Sequence, residues 1–109
     1  MRRGDIHIAV ARGAYTGKPR PVVIVQDDRF DATASVTVCP LTTNLVEAPL
    51  TRIAIEPTPS TGIEQLSHIM IDKITTMPRA NLRDRVGRIA DVDLVRLDRA
   101  LIVFLGLAG

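Results

Sequence analysis

The stretch GKPRPVVIVQ, residues 17–26, decides the fold more than any other part of this 109-residue chain. Four β-branched residues follow Pro21, and a run that is apolar on both faces is typical of a strand in the middle of a sheet. Pro19 and Pro21 restrict the backbone on either side of Arg20. Arg20 is therefore held at the mouth of a rigid strand. There its guanidinium is either a preorganised fork for phosphate oxygens or a solvated strand-end charge.

Further short strands are predicted on both sides of this one. Apolar residues alternate in several segments, and polar or Gly/Pro-rich turns separate them. The predicted strands are 5–10, 21–26, 35–41, 51–55, 67–76 and 85–89, with loops at 11–20, 27–33, 42–44 and 56–62. Pro40 should end or bulge the third strand, because proline has no N–H to donate to a ladder. Within the strand 67–76, period-two alternation places His68, Met70 and Asp72 on one face.

A single helix is predicted at the end of the chain. Asp91 should cap it, and it should run to about Leu105. Its apolar stripe is expected to comprise Leu94, Leu97, Leu101, Phe104 and Leu105. Antiparallel strands followed by one helix predict a mainly β fold, a small SH3-like β-barrel with the helix packed on it, as one domain over residues 1–109. Because the last helical turn is apolar nearly all round, we expect a homodimer.

Composition excludes several classes of protein. Aromatic residues make up only 3%, too few for the base-stacking platforms of common single-strand binders. Of 14 basic residues only Lys18 and Lys73 are lysines, and arginine favours phosphate or carboxylate partners. The single cysteine, Cys39, rules out an intrachain disulfide and a thiolate metal cluster, and its place in an apolar strand predicts a small buried hydrophobic residue. The sequence shows no credible cluster of metal ligands, and no cofactor is expected. No signal peptide is visible, and the longest apolar run, 100–105, is too short to span a bilayer, which predicts a cytoplasmic protein.

Four segments in chain order resemble the MazF/PemK/Kid family of toxin endoribonucleases. They are RGDI at 3–6, GKPRPVVIVQDD at 17–28, CPLTTN at 39–44 and SHIMIDKITTMPRANL at 67–82. Together they cover essentially the whole chain. The resemblance implies the barrel of the MazF/CcdB type and a metal-independent endoribonuclease. It also implies cleavage of single-stranded RNA at short motifs and neutralisation by a cognate antitoxin.

The same resemblance implies three catalytic residues, Arg20, Thr42 and Asp72. In such enzymes the arginine and the threonine act at the scissile phosphate while the ribose 2′-OH attacks it. The products are a 2′,3′-cyclic phosphate and a 5′-OH. The chemistry suits these side chains, because the phosphorane transition state carries added negative charge that a guanidinium and a hydroxyl stabilise. Asp72 either takes the 2′-OH proton, orients Arg20, or is only a salt-bridge partner.

The sequence also departs from parts of the family. Met70 stands where the Kid branch has an arginine proposed as general acid, so that acid is absent. Ala14, Tyr15 and Thr16 replace the usual Ser-Glu-Gln ahead of the Arg-Pro segment.

Further residues are candidates for binding RNA: Lys18, Thr43, Asn44, His68 and Arg79. His68, at the start of its strand, and His7, opposite Ile6 and Ile8, are expected to be exposed, His7 to solvent or at an interface. The basic residues Arg79, Arg83, Arg85 and Arg88 form either an RNA-backbone track or a solvated face with Asp84 as counter-charge.

Two other functions fit the same fold. A gyrase poison like CcdB would carry a C-terminal Trp-Gly-Ile, but this chain has no Trp and ends Leu107-Ala108-Gly109. A non-catalytic SH3-like RNA-binding module would need an aromatic groove that this composition does not supply.

Overall fold

Seven strands and one α-helix occupy the residues that the computed structural model describes, 1–10 and 18–107. The elements are β1 (Asp5–Ala9), β2 (Arg20–Ile24), β3 (Ser35–Thr42), β4 (Arg52–Ile55), β5 (Ser67–Met70), β6 (Thr75–Pro78), β7 (Leu82–Arg88) and α1 (Asp91–Phe104). Short 3₁₀ turns lie at Asp28–Phe30, Ile71–Lys73 and Arg79–Asn81. The prediction of a mainly β chain that ends in a helix is confirmed.

The strands form one antiparallel sheet in the order β4-β5-β3-β2-β1-β7, with β6 also paired to β3. The strand β2 lies between β1 and β3, as its doubly apolar sequence predicts. Val22 and Val23 point to opposite faces and both are buried. Burial on both faces makes β2 a rigid support for Arg20 at its first residue.

The sheet does not close into a barrel, so this part of the fold prediction is corrected. Within the described residues β4 and β7, at the two ends of the order, are not paired with each other. The cause lies in β3, which pairs with β6 through Ser35–Val38 and with β5 through Leu41 and Thr42. The sheet therefore branches at β3.

Pro40 does not end β3, contrary to expectation. The strand continues to Thr42, and Pro40 pairs with Val22 of β2. On the other edge, the pairs with β6 stop at Val38 and those with β5 begin at Leu41. Pro40 lies in this interval, where the missing N–H costs no ladder bond to β5 or β6.

The strand predicted at 67–76 is in fact two strands separated by a 3₁₀ turn. The side chain of Ile71 is fully buried, and its N–H donates to the carbonyl oxygen of Thr51 at 2.9 Å. The turn lets β5 pair with β4 while β6 pairs with the first half of β3. Asp72 lies in the turn, so it does not share a strand face with His68 and Met70.

The buried residues form two clusters on either side of the sheet. The larger one contains Ile6, Val23, Leu41 and Ile69, and it is covered by Leu97 and Leu101 of α1. The smaller one comprises Ala9, Val22, Ile24, Val36, Val38 and Leu82.

The helix ends where predicted, at Phe104 with Leu105 as its C-cap, but its start and its apolar stripe differ from the prediction. Ala90 is the N-cap residue and has no side-chain cap, and Asp91 is the first helical residue. The stripe that packs on the sheet ends at Leu101, because Phe104 and Leu105 are exposed. No helix in the described part of the chain is long and apolar enough to cross a membrane.

Candidate active site

The ends of three neighbouring strands bring the candidate residues together. Val22 of β2 pairs with Pro40 of β3, and the same register extended by two residues places Arg20 opposite Thr42. On the other edge of β3, Thr42 pairs with His68 of β5. Residues opposite each other in antiparallel strands share a face and lie side by side. Arg20, Thr42 and His68 therefore form one row across the sheet.

Arg20 and Thr42 line a common cavity of about 270 Å³, which we call the Arg20 cavity. Its lining residues are Lys18, Pro19, Arg20, Pro21, Leu41, Thr42, Thr43 and Ser67. Three RNA-contact or catalytic candidates besides Arg20, namely Lys18, Thr42 and Thr43, thus meet in one place.

The Arg20 cavity is cationic. Lys18 and Arg20 are exposed, and no carboxylate lines the cavity in the part of the chain that the structure describes. Within residues 1–10 and 18–107, neither cation forms an ion pair. Two uncompensated cations beside hydroxyl groups form a site suited to an anion such as a phosphodiester.

The hydroxyl of Thr42 is oriented by the backbone that follows it. The N–H of Asn44 donates to Thr42 Oγ1 at 3.1 Å. A hydroxyl that accepts one hydrogen bond retains its own proton to donate. Asn44 is exposed and acts on the cavity through its backbone, since it is not among the lining residues.

Asp72 contacts Arg52 and not Arg20. Arg52 Nε lies 3.0 Å from Asp72 Oδ1, and Arg52 Nη2 lies 3.3 Å from Oδ2. The pair is bidentate, and Asp72 does not line the Arg20 cavity. Of the three roles weighed for Asp72, this geometry matches the salt bridge. Arg52 was missed by sequence reasoning, because a single arginine at the start of a strand carries no signal of its partner.

His68 is half-buried and not exposed as expected. His68 lines a separate depression, which we call the His68 pocket, together with Val46, Glu47, Ala48, Pro49, Arg52, Ala54 and Arg96. Its Nδ1 is buried without a hydrogen-bond partner in the part of the chain that the structure describes. The row of Arg20, Thr42 and His68 therefore connects the Arg20 cavity with the His68 pocket.

Arg79 lies at the other end of β3. Its N–H donates to the carbonyl oxygen of Ala34, and its Nε donates to that of Thr33 at 2.9 Å. Thr42 is at the opposite end of the same eight-residue strand, about 20 Å away by strand rise. Arg79 therefore does not join the Arg20 cavity.

Two other basic residues of the predicted track, Arg85 and Arg88, serve the fold, whereas Arg83 is exposed. Asp5 is buried, and its Oδ1 lies 3.3 Å from both Arg85 Nε and Arg88 Nη1. Burial alone would raise the pKa of Asp5. The Arg2 N–H and the two guanidinium groups outweigh burial and lower that pKa below its usual value of 3.8. Asp5, and not Asp84, is the counter-charge of this segment.

The segment RGDI also has structural contacts. Arg3 Nη1 pairs with Asp98 Oδ1 of α1 at 2.6 Å, and Arg3 Nε donates to the carbonyl oxygen of Val25 at 2.8 Å. His7 is buried, contrary to expectation, with Nδ1 2.9 Å from the carbonyl oxygen of Arg83. This first segment therefore joins the sheet to the helix.

The expectations for residues 11–17, including Ala14, Tyr15 and Thr16, lie outside the described residues. Among the described residues no group of three or more His, Cys, Asp or Glu side chains is arranged to hold a metal ion. Cys39 is fully buried, which confirms its interpretation as a small hydrophobic residue. Burial raises the pKa of its thiol to about 12.

Comparisons with known proteins identify the family of this chain. Residues 2–105 match the family described as PemK-like, MazF-like toxin of type II toxin-antitoxin system. The chain is 70% identical, over the full length of both proteins, to a probable endoribonuclease MazF of Mycolicibacterium smegmatis. It is 31% identical to endoribonuclease MazF9 of Mycobacterium tuberculosis, with 98% of each chain covered.

Solved structures share the fold. A mycobacterial endoribonuclease in complex with its cognate antitoxin superposes with a TM-score of 0.81 at 24% identity, covering 98% of this chain and 96% of that one. The Mycobacterium tuberculosis toxin MazF-mt6 superposes with a TM-score of 0.79 at 24% identity, covering 94% and 96%. By the family match and by its identity to these relatives, the chain belongs to the PemK-like and MazF-like toxins of type II toxin–antitoxin systems and is an endoribonuclease of that family.

Proposed function

We propose that this chain, acting in the cytoplasm as a single toxin domain over residues 1–109, cleaves single-stranded RNA at short sequence motifs. The observation that carries the proposal is the Arg20 cavity, where two uncompensated cations lie beside the hydroxyl of Thr42. The scissile phosphodiester binds there. A gyrase poison or a non-catalytic binding module would have no need of an oriented hydroxyl beside the arginine.

The proposed reaction is a transesterification that needs no metal ion or cofactor. The ribose 2′-oxygen bonds to the adjacent phosphorus and loses its proton to a base or to water. The bond from phosphorus to the 5′-oxygen breaks, and the leaving oxygen takes up a proton. The products are a 2′,3′-cyclic phosphate and a 5′-OH.

Arg20 and Thr42 stabilise the transition state of this step. Negative charge accumulates on the non-bridging oxygens as the phosphorane forms. The guanidinium of Arg20 is always charged, and the backbone that carries it is fixed by pairing with β1 at the first residue of β2. The free proton of Thr42 donates to one of the same oxygens.

The other candidates act around this pair. Lys18 and Thr43 line the same cavity and contact the RNA backbone, while His68 and Asn44 contact it on the side of Thr42 away from Arg20. Asp72 acts as a positioning residue. Its two hydrogen bonds hold the side chain of Arg52, which lies on β4, the strand paired with the β5 strand of His68. Arg79 is left out of the site because of its distance along β3.

We further propose a homodimer as the active form and a cognate antitoxin as its inhibitor. The exposed end of α1 supports the first, since Val103, Phe104, Leu105 and Leu107 face solvent in one protomer. Family membership supports the second, as do the relatives solved with an antitoxin, including a MazE–MazF complex from Deinococcus radiodurans. An antitoxin segment that covers the Arg20 cavity would block access of RNA.

Cleavage of a long single-stranded RNA in the presence of EDTA tests the proposal, with mapping of the new 5′ ends. We expect cleavage by the wild-type protein and a loss of about 100-fold in rate for Arg20→Ala. Arg83→Ala is the matched control, because Arg83 is an exposed arginine of β7 outside the cavity. A 2′-deoxy substitution at the mapped site should abolish cleavage there.

Two results would contradict this proposal. One is an RNA that stays intact with folded wild-type protein free of antitoxin. The other is an Arg20→Ala variant as active as the Arg83→Ala control.

A further inference from the structure

A second cavity, of about 350 Å³, adjoins the Arg20 cavity. The two share Pro21, Thr43 and Ser67 as lining residues. The other residues that line the second cavity are Ile8, Gly62, Ile63, Glu64, Gln65 and Val86. Because these three residues line both, the two cavities lie side by side, and we call the pair the groove. A chain bound with a phosphate in the first therefore has its next group within reach of the second.

The two halves of the groove differ in charge. Among the described residues, the Arg20 cavity is lined by two cations and no carboxylate, whereas the second is lined by the Glu64 carboxylate and no lysine or arginine. A phosphate would be repelled by Glu64. The apolar side chains of Ile8, Ile63 and Val86 suit the face of a flat, uncharged group instead.

Two polar side chains of the second cavity are available for recognition. Glu64 and Gln65 are exposed, and in the described ranges no hydrogen bond or ion pair engages either side chain. A carboxylate accepts hydrogen bonds from amino groups of bases, and an amide both donates and accepts.

The loop that carries these residues is held rigidly against β7. Thr61 is buried, its Oγ1 donates toward the Glu56 and Thr58 carbonyl oxygens, and it accepts from the Thr58 N–H. Gly62 has a φ of +69°, and a Cβ there would overlap the carbonyl oxygen of Val86. The second cavity is therefore built into the fold before RNA binds, which limits the ordering cost of recognition.

We propose that the second cavity binds the nucleobase next to the scissile phosphate, and that Glu64 selects a base with an exocyclic amine over uracil. Adenine, cytosine and guanine each offer an amino donor to the carboxylate, with an acceptor beside it for the Gln65 amide. Uracil offers one N–H between two carbonyl oxygens, both of which a carboxylate repels. This inference rests on the proposed endoribonuclease function.

The test compares cleavage of a random-sequence RNA pool by the wild type and by Glu64→Gln. We expect uracil to be disfavoured about tenfold at one position flanking the cut by the wild type, and this discrimination to fall to about twofold or less in Glu64→Gln. Glu56→Gln is the control, because Glu56 is an exposed carboxylate of the same loop outside the cavity. It should keep the wild-type preference.

The same variants are measured for binding to short oligonucleotides with a 2′-deoxy cut site, by fluorescence anisotropy. Glu64→Gln should lose the preference for cytosine over uracil at the flanking position. If the wild type cleaves RNA and Glu64→Gln keeps its full discrimination, the base assignment is wrong while the endoribonuclease stands. If the wild type cleaves nothing, the proposed function fails, and the binding preference still decides the assignment.

Discussion

Several arginines hold the fold, and Arg20 contrasts with them. Arg3, Arg52, Arg85 and Arg88 each contact a carboxylate, whereas no carboxylate among the described residues lines the Arg20 cavity. The sequence could single out Arg20 as a candidate site residue, because two neighbouring prolines and the strand that follows restrict its backbone locally. The pairing of Arg52 with Asp72 was not, because 20 positions separate them and only strand register joins them.

At residue scale, Thr42→Val tests the hydroxyl of Thr42, because valine has nearly the same shape and lacks that group. We expect cleavage to fall about 10- to 100-fold, since valine removes one hydrogen bond to a charged group and leaves the packing intact. Thr42→Ser keeps the hydroxyl and should stay within a few-fold of the wild type. Single-turnover cleavage rates check this. A Thr42→Val variant as active as the wild type would show that the hydroxyl takes no part in cleavage.

A second prediction concerns Asp5. Because its pKa is lowered in the folded protein, it stabilises the fold at pH values above about 3.8, and this contribution is lost as pH falls through the lowered value. Asp5→Asn should therefore cost about 2 kcal/mol of unfolding free energy at neutral pH. The difference from the wild type should shrink below pH 4.

Urea unfolding monitored by circular dichroism at several pH values measures this difference. Asp84→Asn, at an exposed aspartate of β7, is the control and should change the free energy of unfolding little. A cost for Asp5→Asn that is the same at pH 3 and pH 7 would contradict the prediction.

At the scale of elements, the loop 56–65 and β7 determine the shape of the groove. They approach so closely that both Gly62 and Gly87 lack room for a Cβ against the other segment's backbone. Sequence reasoning predicted this loop from its Pro, Ser, Thr and Gly content. Its contact with β7 was not predictable, because nothing near residues 56–62 in the chain specifies which strand they cover.

This contact predicts different effects for two glycines that both have positive φ. Gly62→Ala should lower the unfolding free energy by at least about 2 kcal/mol, because it adds steric overlap with Val86 to backbone strain. Gly106→Ala, with a φ of +74° and open space around it, should cost only the strain, about 1 kcal/mol. Thermal unfolding compares them. Equal losses would mean that the loop does not pack on β7 as described.

At the scale of the whole molecule, one protomer leaves the end of its helix uncovered. The apolar stripe packs on the sheet through Leu94, Leu97 and Leu101, and the residues beyond face solvent. An exposed apolar patch on a small domain is typical of an association surface. This end of α1 is therefore the surface on which the proposed homodimer depends.

The double substitution Leu105→Asp/Leu107→Asp should convert the dimer into a monomer, because two buried charges would be unpaired at the contact. Light scattering after size-exclusion chromatography measures the mass. Val92→Asp is the matched control, since Val92 is an exposed apolar residue at the start of the same helix. A dimer that persists in the double variant would contradict the assignment of this surface.

The amino-acid sequence by itself determined the central strand, the terminal helix, the short strands around them and the prominence of Arg20 and Thr42. These features follow from local rules, namely side-chain period, proline geometry and turn composition. Only the tertiary structure decided that β3 changes partner at Pro40, that the sheet stays open, that Asp72 pairs with Arg52 and that Arg79 lies far from Thr42. Each of these depends on register between segments distant in the chain, and local pattern carries no information about that register.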